Sequence, residues 1–366
     1  ELGEELGADP SDSELASLID RLVGNRPGHQ RLRELLQIQG DWLNSLSDPQ
    51  ASESLFLPTQ RVVAGTCMGF LANSNVQEIQ FDLCIIDEAS RATASELLVP
   101  MTRSKRWVMV GDPKQLPPMA EEVFEHRDLV DEFDLDKLFH NSSLFDILLA
   151  EAPEACRIRL TTQHRMAVPI GRLISETFYD GELTNAPFPV LVPESVDDAD
   201  RLVWFSTSRR SDRAENPKHT RGESSSNKTE ALEIAKLVAR LEAQTQQGRV
   251  SRIKEGPVSV LIITGYRAQC LEIERAIRRL NLMGVAVTVN TVDAVQGRES
   301  DVVIFSVTRS NLTGDFGFLN ERYSGRINVA LSRAREILWI VGDSEFAASK
   351  RSEEHTSELQ SHLMIS

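Results

Sequence analysis

Cationic surplus is what this sequence most conspicuously lacks. Its 366 residues hold 40 Lys and Arg against 55 Asp and Glu, a formal charge of -15. That balance excludes a protein that coats nucleic acid through bulk positive charge, because phosphate affinity comes from Lys and Arg neutralising the backbone. Any such contact must be a local groove. Long apolar runs are missing too: none approaches the roughly 20 residues needed to span a bilayer, and Glu1 to Asp9 lacks the basic-then-apolar pattern of a signal peptide. No membrane association is expected, and the expected location is cytoplasmic. Cysteine is scarce. Cys67, Cys84, Cys156 and Cys270 stand far apart with no C-x-x-C pair, which argues against a zinc ribbon or a dithiol redox motif and predicts reduced thiols.

The length suits about two domains, and 41% apolar residues can fill a core for each. Residues 12–46 read as helices, with Leu15, Leu18, Ile19 and Leu22 and then Leu32, Leu35, Leu36, Trp42 and Leu43 at helical spacing. A packed helical pair is the expectation there. From Arg61 onward short apolar runs end in polar or glycine-bearing loops, the pattern of strands buried on both faces of a parallel sheet. Seven such runs are expected: 62–64, 81–86, 107–110, 258–263, 285–289, 302–307 and 337–341. Amphipathic stretches lie between several of them, as at 227–244, where Asn227 and Glu230 predict a capping-box start. The segment 186–226 reads as a loop with one strand at Leu202 to Phe205. The tail from about Ser352 to Ser366 breaks the periodic pattern, resembles translated adapter sequence and is set apart as non-native.

The strongest chemical signal is the apolar strand that ends in Asp87-Glu88-Ala89-Ser90. Ligands of open parallel sheets sit at the carboxyl ends of the strands, so both carboxylates would face a crevice. Asp87 would hold Mg²⁺, and Glu88 would polarise a water attacking a γ-phosphate. A capped surface turn is the plainer alternative. A second strand ends in Gly111 to Pro118 (GDPKQLPP), where Gln115 supplies an uncharged donor and acceptor suited to sensing a phosphate oxygen.

In these residues and in those of three further segments, the chain resembles the superfamily 1 helicases of the nonsense-mediated-decay and senataxin type. Asp87 to Ser90 resembles their Walker B motif, Gly111 to Pro118 motif III, Gln163-His164-Arg165-Met166 motif IV, Val292 to Glu299 motif V and Asn328 to Arg335 motif VI. The resemblance implies an α/β fold of two RecA-like P-loop NTPase domains with parallel sheets, the first incomplete. It divides the chain into a helical segment (1–60), a partial first domain (61–152), a second domain (153–350) and the tail (351–366). It implies ATP and Mg²⁺ as ligands and single-stranded DNA or RNA as partner, with translocation from 5′ toward 3′.

By that resemblance Asp87, Glu88, Gln115, Arg165 and Arg333 would be catalytic, the two arginines acting as fingers on the γ-phosphate. Gln163, His164, Gly297, Glu299 and Arg326 would contact nucleotide, His164 standing where relatives often carry an adenine-stacking tyrosine. Asp293 and Gln296 would brace the motif V loop, and Arg335 reads as structural. Arg326 and Arg333, seven apart on an expected helix, would share one face. Thr66, Thr264, Tyr266, Thr291 and Arg309 would contact nucleic acid, Tyr266 by stacking and the others at phosphates.

No G-x-x-x-x-G-K-[ST] occurs in the sequence. That loop cradles the β- and γ-phosphates, so the isolated chain is expected to be inactive and to derive from a longer, ATP-dependent helicase. The rival is a non-catalytic nucleic-acid or partner-binding scaffold built on the same fold.

Overall fold

Five apolar runs of the second half pair as a parallel sheet, and their composition explains why. The computed structural model describes residues 17, 27–47, 53, 56–77, 79–118, 143–192, 195–216, 224–295, 297–320 and 324–349. Leu15 to Leu22, apart from residue 17, Gln296 and the tail lie outside them. The described residues fall into two units, 1–85 with 95–108 and 86–94 with 109–366.

In the first unit, Pro27–Ser47 is one long helix. Its Leu35, Leu36, Ile38, Trp42 and Leu43 are exposed, so the apolar stripe expected to pack lies open. The run at Val62 forms no strand, and Val62 is 84% exposed. Strands β1 (Cys84–Ile86) and β2 (Trp107–Met109), the last residue of each of which is counted with the second unit, make a two-stranded sheet. Leu83, Ile85, Trp107 and Val108 are exposed too, unlike strands buried on both faces.

In the second unit, β3 (Thr162–Gln163) and β4 (Thr184–Asn185) form a short parallel pair. The main sheet comprises β5 (Leu202–Ser206), β6 (Val258–Thr264), β7 (Val285–Thr291), β8 (Ser300–Ser306) and β9 (Ala334–Gly342), in the order β5-β9-β8-β6-β7. Every pairing within it is parallel. Alternate side chains enter two cores, as a doubly covered sheet requires. On one face Leu261, Ile263, Val303, Phe305, Leu338 and Ile340 meet the helices Val168–Phe178 and Ser324–Leu331. On the other, Val260, Ile262, Val302, Ile304, Ile337 and Trp339 meet the helices Lys228–Gln246 and Arg267–Ile277. The α/β architecture with parallel sheets is as the sequence predicts.

The helix Lys228–Gln246 starts on its expected cap, Asn227 accepting from the Glu230 N–H at 3.1 Å. The Glu230 side chain departs from the expected capping box. It turns inward, fully buried, and accepts from the Thr308 N–H at 2.8 Å and the Ser306 hydroxyl at 2.7 Å. Its other oxygen, Oε1, has no hydrogen-bond partner among the described residues. Burial, opposed by those two donors, pushes its pKa from 4.5 up to about 8. The unfolded chain therefore ionises Glu230 in a range where the folded chain keeps it protonated. Its contribution to stability is full below pH 4.5 and is lost as pH rises through about 8. Glu230→Gln should flatten that fall, which urea unfolding on both sides of the window would measure. An unchanged slope would remove Glu230 as its source.

Candidate active site

Strand β1 delivers Asp87 and Glu88 at its carboxyl end, both exposed. The Glu88 N–H donates to Asp87 Oδ1 at 3.0 Å, and Glu88 adopts the left-handed conformation (φ 56°, ψ 35°). A non-glycine residue pays for that geometry, and such strain clusters at functional sites. The following turn is locked: the Ala89 N–H donates to Val110 O at 2.8 Å, and the buried Ser90 hydroxyl accepts from the Asp112 N–H at 3.1 Å. The carboxylate strand and the Gly111 to Pro118 loop are thus joined by hydrogen bonds. Gly111 sits where a Cβ would lie 2.8 Å from the Ser90 nitrogen, so this crossing requires glycine. Gln115 is half-buried, its amide donating to Asp112 Oδ2 at 2.8 Å.

Arg333 is buried, with 3% of its surface exposed. It stands in the turn after the helix Ser324–Leu331 rather than on it, so it does not share a helical face with Arg326. Its Nε donates back to Val329 O at 3.1 Å, and Nη2 to the Ser332 hydroxyl at 3.3 Å. Among the described residues no carboxylate lies within ion-pair distance of it. Burial, then the nearby Arg165 charge, depresses its pKa from 12.5 to about 10, while Glu88 and Glu299 act in the opposite sense. The guanidinium is still charged at neutral pH. A desolvated cation lacking a matched anion is costly, and here it lies in the field of Glu88.

Arg165 is half-exposed and held by Glu299 at 2.9 Å, with a longer donation to Ser332 O at 3.3 Å. Glu299 also binds Arg335 at 2.7 Å, which matches the structural reading of Arg335. Arg326 pairs with Asp293 at 3.0 Å, so Asp293 braces its loop. Gly297 has φ 73°, with open space where a Cβ would sit, and His164 is exposed. Gln163 corrects its expected role. Its Oε1 accepts from the Arg165 and Met166 N–H groups, and its Nε2 donates to Met166 O and Asn185 Oδ1. The amide is spent shaping the turn that presents Arg165, leaving little for a nucleotide.

Residues 140–345, more than half of the chain, match a family described as an AAA domain, and residues 14–121 match a second family of the same description. The chain is 32% identical over 305 residues to "DNA replication ATP-dependent helicase/nuclease DNA2" of Bos taurus, covering 78% of this chain and 27% of that protein. It is 29% identical over 332 residues to "Regulator of nonsense transcripts 1 homolog" of Neurospora crassa, covering 86% and 26%. It is 28% identical over 276 residues to "DNA polymerase alpha-associated DNA helicase A" of Schizosaccharomyces pombe, covering 72% and 37%. The chain belongs to the superfamily 1 helicases of the nonsense-mediated-decay and senataxin type. It spans about a quarter to a third of the length of the curated relatives it matches.

Within this helicase chain the expected nucleic-acid residues fare unevenly. Thr264 is fully buried, its hydroxyl 2.9 Å from that of Thr308, so it offers no donor to a phosphate. Arg309 is 1% exposed, paired with Glu215 at 3.0 Å and Asp315 at 2.5 Å and donating to the Ser225 hydroxyl. It is a core cation rather than a phosphate contact. Tyr266 is half-buried, with its hydroxyl accepting from the Phe318 N–H at 2.8 Å, its ring edge-on to Phe318 and Arg309 over its face. Packing occupies the ring that was expected to stack a base. The exposed Thr66 accepts from the Gly69 N–H and caps a short helix. Thr291 is half-buried at the end of β7. Sequence reasoning missed Asp112, Tyr179 and Asn328, which the structure joins beside Gln115. Asp112 carried a signal, lying in the same GDPKQ loop, whereas Tyr179 carried none.

Proposed function

We propose that this chain forms the nucleotide-hydrolysing and strand-gripping part of an ATP-dependent nucleic-acid translocase. The observation that carries the reading is the buried Arg333, charged and without a carboxylate partner among the described residues, in the field of Glu88 and beside Arg165. Proteins bury such a cation at a cost, and a ligand phosphate is the anion that offsets it.

The residues fit a magnesium nucleotide. Asp87 is one exposed carboxylate at a strand end, the modest contribution Mg²⁺ needs when phosphates and water complete its shell. When bound, the metal would neutralise charge between the β- and γ-phosphates. Glu88 orients the attacking water and takes up its proton. Gln115, on a loop tied to Ser90 through Asp112, senses whether a γ-phosphate is present. Arg333 and Arg165 stabilise the charge that grows on the transferring phosphoryl group, Arg165 after leaving Glu299. Gly297 keeps the backbone beneath the open space at its loop free of side chain.

Because the sequence lacks the lysine-bearing phosphate loop, the 366-residue chain by itself would bind nucleotide weakly, and turnover belongs to the longer parent protein. The partner is a single strand of DNA or RNA, and the setting is cytoplasmic. The test is phosphate release by the full-length protein with single-stranded DNA and RNA in parallel. Strand-stimulated hydrolysis that vanishes in Glu88→Gln is expected. Undiminished hydrolysis in that variant would remove Glu88 from the chemistry, and none in the parent would leave the fold as a scaffold.

A further inference from the structure

Tyr179 closes the helix Val168–Phe178 and belongs to no motif singled out in the sequence. Its hydroxyl bonds to both the Gly111 to Pro118 loop and the helix Ser324–Leu331. It donates to Asp112 Oδ2 at 2.5 Å and accepts from Asn328 Nδ2 at 2.9 Å. The same Asn328 amide donates to Lys114 O at 2.8 Å. Asp112 in turn accepts from the Lys114 N–H at 2.9 Å and the Gln115 amide at 2.8 Å. Gly325 lets the helix Ser324–Leu331 approach so closely that a Cβ there would lie 2.1 Å from Gln115 O. Asn328 is fully buried one residue before Val329, whose carbonyl holds Arg333.

Resting on the hydrolase reading above, we propose that Tyr179 is a positioning residue: its hydroxyl clamps the Gln115 loop to the helix whose end holds Arg333, so that the phosphate sensor and the arginine move as one body. The physical basis lies in the donors of Asn328, whose buried Oδ1 has no hydrogen-bond partner among the described residues. Both donors of the Asn328 amide are committed, one to a loop carbonyl and one to Tyr179. The phenol relays that interaction to a carboxylate in a part-buried setting, where charge-assisted bonds are stronger than in water. Burial, reinforced by the Asp112 charge, drives the Tyr179 pKa upward, so the hydroxyl keeps its proton and the relay stays intact. A phenylalanine would preserve the ring, which packs against the core formed around Ile170 and Leu173. It would leave a buried Asn328 donor unpaired and take a donor from Asp112.

The experiment compares the full-length protein with its Tyr179→Phe variant by hydrogen exchange without nucleotide and by steady-state hydrolysis. Amides of 111–117 and 324–331 should exchange about tenfold faster in the variant, those of β6 and β8 unchanged, since one charge-assisted bond is lost locally. Turnover should fall about tenfold, with KM held within about twofold, because alignment rather than ground-state binding is lost. Asp112→Asn, which weakens the same acceptor at nearly constant size, should speed exchange in the same two segments. Unchanged exchange there, or equal acceleration throughout 143–349, would overturn the clamp. If the parent hydrolyses no ATP the hydrolase reading fails, and exchange alone still decides whether the clamp exists.

Discussion

Arg333→Met in the full-length protein is expected to lower ATP turnover by about a thousandfold, the lower bound for loss of an arginine acting on a transferring phosphoryl group. The same substitution should leave the unfolding midpoint unchanged or raised. Both halves follow from one fact: the guanidinium is nearly dry, charged at neutral pH with a pKa of about 10, and among the described residues served by Val329 O, the Ser332 hydroxyl and a longer contact to Arg298 O. In the absence of ligand that is a cost to the fold, which methionine of similar reach would remove. With ligand it is a preorganised positive charge that is already desolvated. Arg333→Lys should recover only part of the rate, since an ammonium lacks the planar fork. Phosphate release and thermal unfolding of the same variant decide the matter. A lost midpoint with retained turnover would make Arg333 a structural residue.

What the sequence could reveal depended on whether a residue's partner lay close in the chain. The central strands β6, β8 and β9 were legible because burial on both faces writes itself as continuous apolar runs. The same rule failed at Val62, Leu83, Ile85 and Trp107, which are apolar and exposed; composition reports what a segment can bury, not what covers it. The placement of Asp87 and Glu88 at a strand end was legible, and their turn is tied to the Gln115 loop through Ser90 and Asp112. Arg333 was recognised by motif but misplaced on a helix, since helical spacing cannot see a chain that turns after Leu331. Tyr179 was illegible because its partners, Asp112 and Asn328, lie 67 and 149 residues away. Gln163 was misread for a related reason. A glutamine suited to a ligand is equally suited to bridging its own loop, and only the four hydrogen bonds show which it does.

Arg309 poses the sharpest case of that ambiguity, and its prediction is correspondingly large. Its side chain is 2% exposed, as is only 10% of its partner Glu215, while Asp315 is 57% exposed. Removing one member of a buried pair strands the other, a loss of about 3 kcal/mol or more. The Asp315 contact adds little, being screened by water. Arg309→Met should therefore cost about 3 kcal/mol in urea unfolding. Glu215 would keep the Ser310 N–H and the Asn311 amide on Oε2, at 3.0 and 3.3 Å, so its charge is not left wholly bare. Because the loss comes mainly from the Glu215 charge left without its cation, the double variant Arg309→Met, Glu215→Gln should recover most of it, the pair behaving as a coupled unit. Affinity for a single strand offers the contrast. A surface arginine on a phosphate would change the salt dependence of binding by about one ion and leave stability nearly untouched. Arg309→Met should instead leave the salt slope of the folded protein unaltered. The reverse outcome, a shallower slope with an unchanged midpoint, would return Arg309 to the nucleic-acid surface and show that its burial is released on binding.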